Sequence, residues 1–63
     1  MMNVKEMLEY YKIKNEYQAK FSILENEIIE CFRTMDNARL KEVNNEYKVL
    51  FEEYKKFTEE AFQ

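Results

Sequence analysis

The chain contains no glycine, no proline, no histidine and no tryptophan. At average usage of roughly 7% glycine and 5% proline, about seven such residues are expected in this length. Their absence excludes glycine-rich phosphate-binding loops, tight hairpin turns and flexible linkers, which all depend on those two residues. The chain therefore has to be held together by the packing of helices.

The absence of histidine and the presence of only one cysteine, Cys31, also limit the disulfides and metal sites that the chain can form. One cysteine cannot form an internal disulfide, and without histidine most zinc, haem and iron–sulfur ligand sets are excluded. The glutamates cannot complete a di-metal site of the helix-bundle type, which adds a Glu-x-x-His pair, and nothing activates Cys31 as a nucleophile. We predict a protein that is not an enzyme and needs no cofactor, metal or small-molecule substrate.

Long apolar runs are absent from the sequence as well. No stretch approaches the ~20 residues that span a bilayer, and the start at Met1 lacks the apolar core of a secretory signal. The net charge of −3 arises from ten basic and thirteen acidic residues mixed along the chain, which is typical of a solvated helical surface. We expect a cytoplasmic protein with no membrane association. Its richness in Lys, Asn, Glu, Ile and Tyr suggests a bacterial or phage source.

Two heptad patterns occupy most of the chain. In each, apolar residues alternate at spacings of three and four, which forms the seam that packs one helix against another. The first follows a capping-box spacing at Asn3 and Glu6 and consists of Met7, Tyr10, Lys14, Tyr17, Phe21, Leu24, Ile28, Cys31 and Met35, of which only Lys14 is not apolar. The second consists of Leu40, Val43, Tyr47, Leu50, Tyr54, Phe57 and Ala61.

The two seams are out of phase where they meet. The first would continue through Ala38 to Glu42, whereas the second begins at Leu40, two residues early. At ~100° per residue this slip rotates the apolar stripe by roughly 200°. We therefore predict a turn instead of a straight helix, with Asn37 in the left-handed conformation that ends the first helix.

The predicted fold is all-α, a single domain over residues 1–63. It is an antiparallel, coiled-coil-like two-helix hairpin, with helix 1 at about 3–35, the turn at about 36–38 and helix 2 at about 39–62. In an alternative with three helices, the first helix breaks near Asn15 and Gln18. The first seam disfavours this alternative because it continues through that point without losing phase. The predicted layers are Met35 with Leu40, Cys31 with Val43, Ile28 with Tyr47, Leu24 with Leu50, Phe21 with Tyr54 and Tyr17 with Phe57.

A chain this short buries too little apolar surface to be stable without a disulfide, a metal or another chain. We therefore expect self-association or a partner. Two packed helices cover one stripe each and leave other apolar residues exposed. The predicted homodimer interface, which completes a four-helix bundle, consists of Ile29, Phe32, Val49 and Phe51. The alternative is that this surface binds a different protein.

The first helix is predicted to extend beyond the second. With Ala61 opposite Lys14, the second helix ends before the start of the first is covered. Met and Tyr are common anchors at interfaces, so the partner-binding site is predicted at Met7, Leu8, Tyr10 and Tyr11. The alternative is that a second subunit caps this end.

The sequence thus predicts a small non-enzymatic module for protein–protein interaction, acting as a regulator, inhibitor or assembly adaptor. It binds another protein through exposed apolar and aromatic helix surfaces. The alternative function is a dimeric hairpin that binds RNA or DNA through Lys41, Lys48 and Lys55, which recur every seven residues. Glutamates recur beside these lysines on the same helix, so we expect only weak, salt-sensitive affinity for phosphate.

Overall fold

The computed structural model describes residues 2–61. They form two α-helices, α1 over Val4–Thr34 and α2 over Asn37–Ala61. The helices pack against each other in an elongated hairpin whose Cα extents are 47 × 16 × 9 Å. The predicted all-α hairpin is therefore confirmed. Helix α1 continues through Asn15 and Gln18 without the break of the three-helix alternative, and residue 62 of the predicted second helix lies outside the described range.

Helix α1 begins at the predicted capping box. Asn3 is extended, and its Oδ1 accepts a hydrogen bond from the backbone N–H of Glu6 at 2.8 Å. The Asn3 side-chain amide donates in return to the Glu6 carboxylate at 2.9 Å. In the usual capping box the glutamate accepts from the backbone N–H of the cap residue. Here the asparagine side chain supplies both the acceptor and the donor.

The turn consists of Met35 and Asp36, which is shorter than the three residues at 36–38 that the sequence suggested. The prediction that Asn37 adopts the left-handed conformation is wrong. Met35 does so, with φ 58° and ψ 35°, and Asn37 is already the first residue of α2. The Asp36 N–H donates to the carbonyl of Cys31 at 3.0 Å, and the Met35 N–H donates to that of Phe32 at 3.4 Å. These two bonds form a Schellman motif, which satisfies two of the last four carbonyls of α1.

Asp36 also begins α2. Its carboxylate accepts from the N–H of Arg39 at 3.1 Å, and its carbonyl accepts from the N–H of Leu40 at 3.0 Å. An aspartate at this position satisfies one of the free N–H groups and complements the positive end of the helix dipole. One residue thus closes the first helix and caps the second, so the chain can reverse within two residues and without glycine.

The core lies on the two predicted seams. Its buried residues within the described range are Cys31, Val43 and Leu50, and Val43 is completely inaccessible to solvent. They occupy the half of the hairpin near the turn, where the predicted layers are aliphatic. Met35 does not join this core, because its left-handed position at the end of α1 leaves it 80% exposed. Its predicted layer with Leu40 is therefore wrong.

Aromatic rings fill the half of the seam farther from the turn. Phe21 lies between Tyr47 and Tyr54, with ring centroids 5.3 and 5.7 Å away. Tyr17 contacts Tyr54 at 5.5 Å and Phe57 at 5.6 Å. These contacts confirm the predicted pairs Phe21 with Tyr54 and Tyr17 with Phe57. The rings of the two helices alternate and form a ladder along the hairpin.

Candidate protein-interaction surfaces

The hairpin has two broad faces, one on each side of the plane that contains the helix axes. One face carries a groove of about 550 Å³ between the helices. Its floor is apolar and is shared by both helices: Ile23 and Leu24 come from α1, and Val49 and Leu50 come from α2. Leu50 is buried in the hairpin core, whereas Ile23 is 58% and Val49 60% exposed. We call this side the groove face.

An arginine cluster continues the groove face toward the turn. Arg39 Nη2 donates to Glu27 on α1 at 2.9 Å, and Nη1 donates to Glu42 at 3.0 Å, with Glu46 3.9 Å away. The pKa of Arg39 is raised, chiefly by the hydrogen bond to Glu42, while desolvation opposes the further effect of Glu27 and Glu46. Because the arginine side chain is 43% exposed, these ion pairs contribute little stability. They fix one cation among three carboxylates.

Acidic groups outnumber basic ones on the groove face. Glu46 and Glu53 line the groove on α2, and Lys20 lines it on α1. The depression nearer the turn is lined by Glu27, Glu30, Asp36 and Arg39. No described residue forms an ion pair with Glu53, and the Lys20 ammonium lies 5.6 Å from the ring centroid of Tyr17. The surface around the apolar floor therefore carries excess negative charge.

The opposite side of the hairpin carries the lysines. A depression of about 460 Å³ is lined there by Phe32, Lys41 and Asn44, among others. Residues seven apart on a helix share a face. The same surface therefore includes Lys48 and Lys55, seven and fourteen residues after Lys41, and Phe51, seven after Asn44. We define the basic face by Phe32, Lys41, Lys48, Phe51 and Lys55.

The four residues of the predicted dimer interface do not form one surface. Ile29, Phe32, Val49 and Phe51 are each more than half exposed. However, Val49 lines the groove, whereas Phe32 lines the depression on the other side. Ile29 is one helical turn from Phe32, and Phe51 is also on the basic face. A single flat contact between two copies cannot bury all four.

Sequence reasoning missed Ile23, although a signal for it is present. Ile23 directly precedes the seam residue Leu24, and Val49 directly precedes Leu50. In an antiparallel pair, residues with the same offset from the two facing seams emerge on the same side, because each helix turns in the same sense along its own direction. That relation would have placed Ile23 beside Val49 before the structure was known.

The predicted partner site at the start of α1 is only partly uncovered. Met7, Leu8 and Tyr11 are exposed. Tyr10, in contrast, is half-buried and stacks on Phe57 of α2, with ring centroids 5.2 Å apart and planes 15° apart. Tyr10 is therefore covered by α2, although the pairing of Ala61 with Lys14 left it beyond the end of that helix. We call the remaining exposed residues, Met7, Leu8 and Tyr11, the open-end patch.

The lysine stripe is separated from the glutamates expected beside it only in the part nearer the turn. Lys41, Lys48 and Lys55 are exposed on the basic face, whereas Glu46 and Glu53 line the groove on the other side of α2. Residues five apart on a helix differ by roughly 140° in direction, and this offset separates Lys41 from Glu46 and Lys48 from Glu53. Farther from the turn, however, Glu53 lines a depression together with Lys55. The two charges are therefore separated at Lys41 and Lys48 but not at Lys55.

Within the described range, no group of three or more Cys, Asp and Glu side chains is placed to hold a metal ion. Neither α1 nor α2 has a segment long and apolar enough to cross a membrane. Cys31 is buried in the core. Comparison with protein-family models, curated proteins and solved structures finds no match to this chain.

Proposed function

We propose that this chain is a small non-enzymatic protein–protein interaction module that acts as a regulator, inhibitor or assembly adaptor. The observation that carries the proposal is the groove, whose apolar floor is built jointly by Ile23 and Leu24 of α1 and Val49 and Leu50 of α2. A concave apolar surface with a charged rim is the usual form of a site that takes a helix from another protein. The groove exists only when the hairpin is closed, so binding and folding support each other.

The thin core also favours a partner. Only Cys31, Val43 and Leu50 are buried among residues 2–61, while many large apolar side chains on both faces remain in contact with solvent. Full burial of such a side chain contributes ~1.5–3 kcal/mol. A domain of this size has a total stability of only about 3–9 kcal/mol. Covering two or three of these side chains is thus comparable to the whole stability of the hairpin.

Self-association is assigned to the basic face in this proposal. Ile29, Phe32 and Phe51 lie on that side, and pairing two copies through them gives a four-helix bundle dimer. The lysines of the two copies then share one interface, so this dimer should be more stable at high salt. The fourth residue of the predicted interface, Val49, belongs to the groove and is left for the partner. The two functions therefore use different surfaces, and both contacts can form at once.

Site-specific photo-crosslinking in cells that produce the chain tests the proposal. A photoreactive residue at position 49 should give a discrete adduct with a second protein. The same residue at position 32 should give an adduct with another copy of the chain. At position 8 it reports whether the open-end patch contacts a protein. Glu52, which is exposed and does not line the groove, is the control position and should give no discrete adduct. If none of the three positions gives an adduct above this control, the proposal is contradicted.

Binding of RNA or DNA is the second candidate, and the charge segregation favours it. Lys41 and Lys48 share the basic face with Phe32 and Phe51, whereas Glu46 lines the opposite face. Lys55 continues the stripe but lines a depression together with Glu53. Cations with interleaved aromatics are how single strands are bound. A binder of this kind should lose affinity steeply with salt and when the three lysines become glutamine. Salt-independent or undetectable binding to single-stranded oligonucleotides removes this candidate.

A further inference from the structure

We infer that the groove takes a cationic amphipathic helix, that is, a helix with one apolar ridge flanked on one side by Lys or Arg. The inference rests on the proposed function, because it specifies the chemistry of the partner that the groove binds. Three features of the groove carry it: its length and width, the carboxylates on one rim and the single ammonium group on the other.

The shape of the groove fits one helix. Its lining on α2 runs from Asn45 to Glu53, which at ~1.5 Å per residue corresponds to about 12 Å, or roughly two helical turns. The four apolar floor residues form a strip between the two helices. A third helix lying along that strip presents apolar side chains at i, i+3 or i+4, and i+7. A surface two helices wide, such as the basic face of a second copy, presents no single ridge to it.

The rim on α2 selects positive charge. Glu46 and Glu53 both line the groove and are seven residues apart, so their carboxylates follow each other along one edge at about 10 Å. Glu53 has no ion pair within the described residues, and Glu46 is 3.9 Å from an arginine that two other glutamates already bind. Two cations seven residues apart on a partner helix would therefore meet both carboxylates.

The rim on α1 sets the direction of the partner. Lys20 lines that edge, so the corresponding flank of the bound helix should be neutral or acidic. A helix with cations on one flank and carboxylates on the other can lie along the groove in two opposite directions. It matches both rims in only one of them, because reversing the helix exchanges its flanks. The groove thus specifies the orientation of the partner as well as its charge.

A second copy is a poor occupant of the groove. Pairing two groove faces about a two-fold axis would bring Glu27, Glu42, Glu46 and Glu53 of one copy toward the same carboxylates of the other. Like charges across an interface are unfavourable, and Lys20, Arg39 and Lys56 on each copy offset only part of them. The occupant that the charges favour is therefore a different, basic helix.

Binding of designed peptides to the full chain tests the inference. Two labelled helical peptides of about 18 residues share the same leucine ridge and the same carboxylate flank, and differ in the other flank, which is lysine in one and glutamate in the other. Fluorescence anisotropy should show the lysine peptide binding at least tenfold more tightly at low salt, with a preference that shrinks as salt is added. Equal affinity for the two peptides overturns the inference.

Variants of the chain locate the effect. Glu46→Gln with Glu53→Gln should abolish the preference for the lysine peptide, and Val49→Asp should weaken the binding of both peptides at least tenfold. Glu52→Gln, on the same helix but outside the groove, should change nothing. Circular dichroism of each variant checks that the hairpin is folded. If Val49→Asp unfolds the hairpin, the test rests on Glu46→Gln with Glu53→Gln, which leaves the apolar floor unchanged. A preference that survives the paired change overturns the inference.

Two further outcomes separate this inference from the proposed function. If neither peptide binds but the photoreactive residue at position 49 still captures a discrete second protein, the interaction module stands and the cationic helix is wrong. If position 49 captures only another copy, and the peptides do not compete, the occupant of the groove is the chain itself and the inference is again wrong. Binding of the lysine peptide without any adduct at position 49 in cells supports the groove chemistry and counts against the proposed function there.

Discussion

Met35 holds the strained backbone of the turn. Its φ of 58° is in the left-handed region, which costs an L-residue roughly 1–2 kcal/mol and costs glycine almost nothing. The side chain is exposed and contributes nothing to the core. The hydrogen bonds of the next residue, Asp36, offset this cost, because Asp36 both completes the Schellman motif of α1 and caps α2.

Replacing Met35 with glycine should therefore stabilise the hairpin. The left-handed penalty disappears, while the added freedom of the unfolded chain cancels about 0.4–1 kcal/mol of the gain. We expect a net increase of about 0.5–1 kcal/mol in the free energy of unfolding, measured by urea denaturation. Met35→Ala keeps the penalty and is the control. A glycine variant no more stable than the alanine variant would show that the turn is not strained.

The carboxylate of Asp36 should be worth more than its exposure suggests. Asp36→Ala removes the acceptor for the N–H of Arg39, and loss of such a cap typically costs 0.5–2 kcal/mol. Asp36→Asn retains an oxygen acceptor, so it should lose only a small part of this stability. Equal destabilisation by the two changes, measured by thermal unfolding, would mean that the cap hydrogen bond is not the cause.

At the turn, sequence reasoning found the reversal but misplaced the conformation. The phase slip between Ala38 and Leu40 required a turn, and residue preference then favoured Asn37 because asparagine tolerates a positive φ better than methionine. The structure instead puts Asp36 at the cap of α2, and a cap lies directly before the first helical residue. The demand for an N-cap outweighed the local preference for asparagine, and a ranking of single residues does not include that demand.

For the helices themselves, the heptad pattern was sufficient. The seam residues of α1 and α2 predicted the layers Phe21 with Tyr54 and Tyr17 with Phe57, and the ring contacts confirm both. The pattern did not predict that Tyr10 reaches Phe57. Phe57 belongs to the layer of Tyr17, two layers from Tyr10, and a count of helical rise locates Cα atoms and not the rings that make this contact.

The aromatic ladder should behave as a set of coupled contacts. In a double-mutant cycle, Phe21→Leu and Tyr54→Leu should show a coupling energy of about 0.5–1.5 kcal/mol, since edge and stacked ring pairs contribute that much beyond burial. The matched control is a cycle of Phe32→Leu with Tyr54→Leu. Phe32 lies on the basic face near the turn, so the two changes should be additive. Additivity in the ladder pair as well would show that the rings act only through apolar burial.

At the scale of the whole molecule, the main feature is the separation of charge. The sequence shows mixed signs along the chain, and the net charge of −3 is small. In the folded hairpin Glu46 lines the groove, whereas Lys41 and Lys48 lie on the other face. The two signs meet only farther from the turn, where Glu53 and Lys55 line one depression. Periodicity alone places each stripe on its helix. Assigning residues of both helices to common faces also requires the antiparallel direction of α2, which the predicted hairpin already supplied.

If the basic face associates, stability should depend on concentration. Dilution from about 100 µM to 1 µM should lower the melting temperature by several degrees, because dissociation releases the stabilisation that the second copy provides. Phe32→Asp should remove this dependence and leave a monomer in sedimentation. Val49→Asp, on the groove face, should retain it. A melting temperature that is independent of dilution in the unmodified chain would contradict self-association.

The two-residue turn also determines the order in which the chain can close. Every contact between α1 and α2 encloses the turn, and the enclosed length grows steadily from the layer of Cys31 and Val43 to the pair Tyr10 and Phe57. Once the layers near the turn have formed, each later layer orders only a few more residues, so closure proceeds like a zipper. Opening runs in reverse, and amide hydrogen exchange should be fastest at the start of α1. A partner that holds Leu8 and Tyr11 would therefore lengthen the lifetime of the closed hairpin more than it would alter its shape.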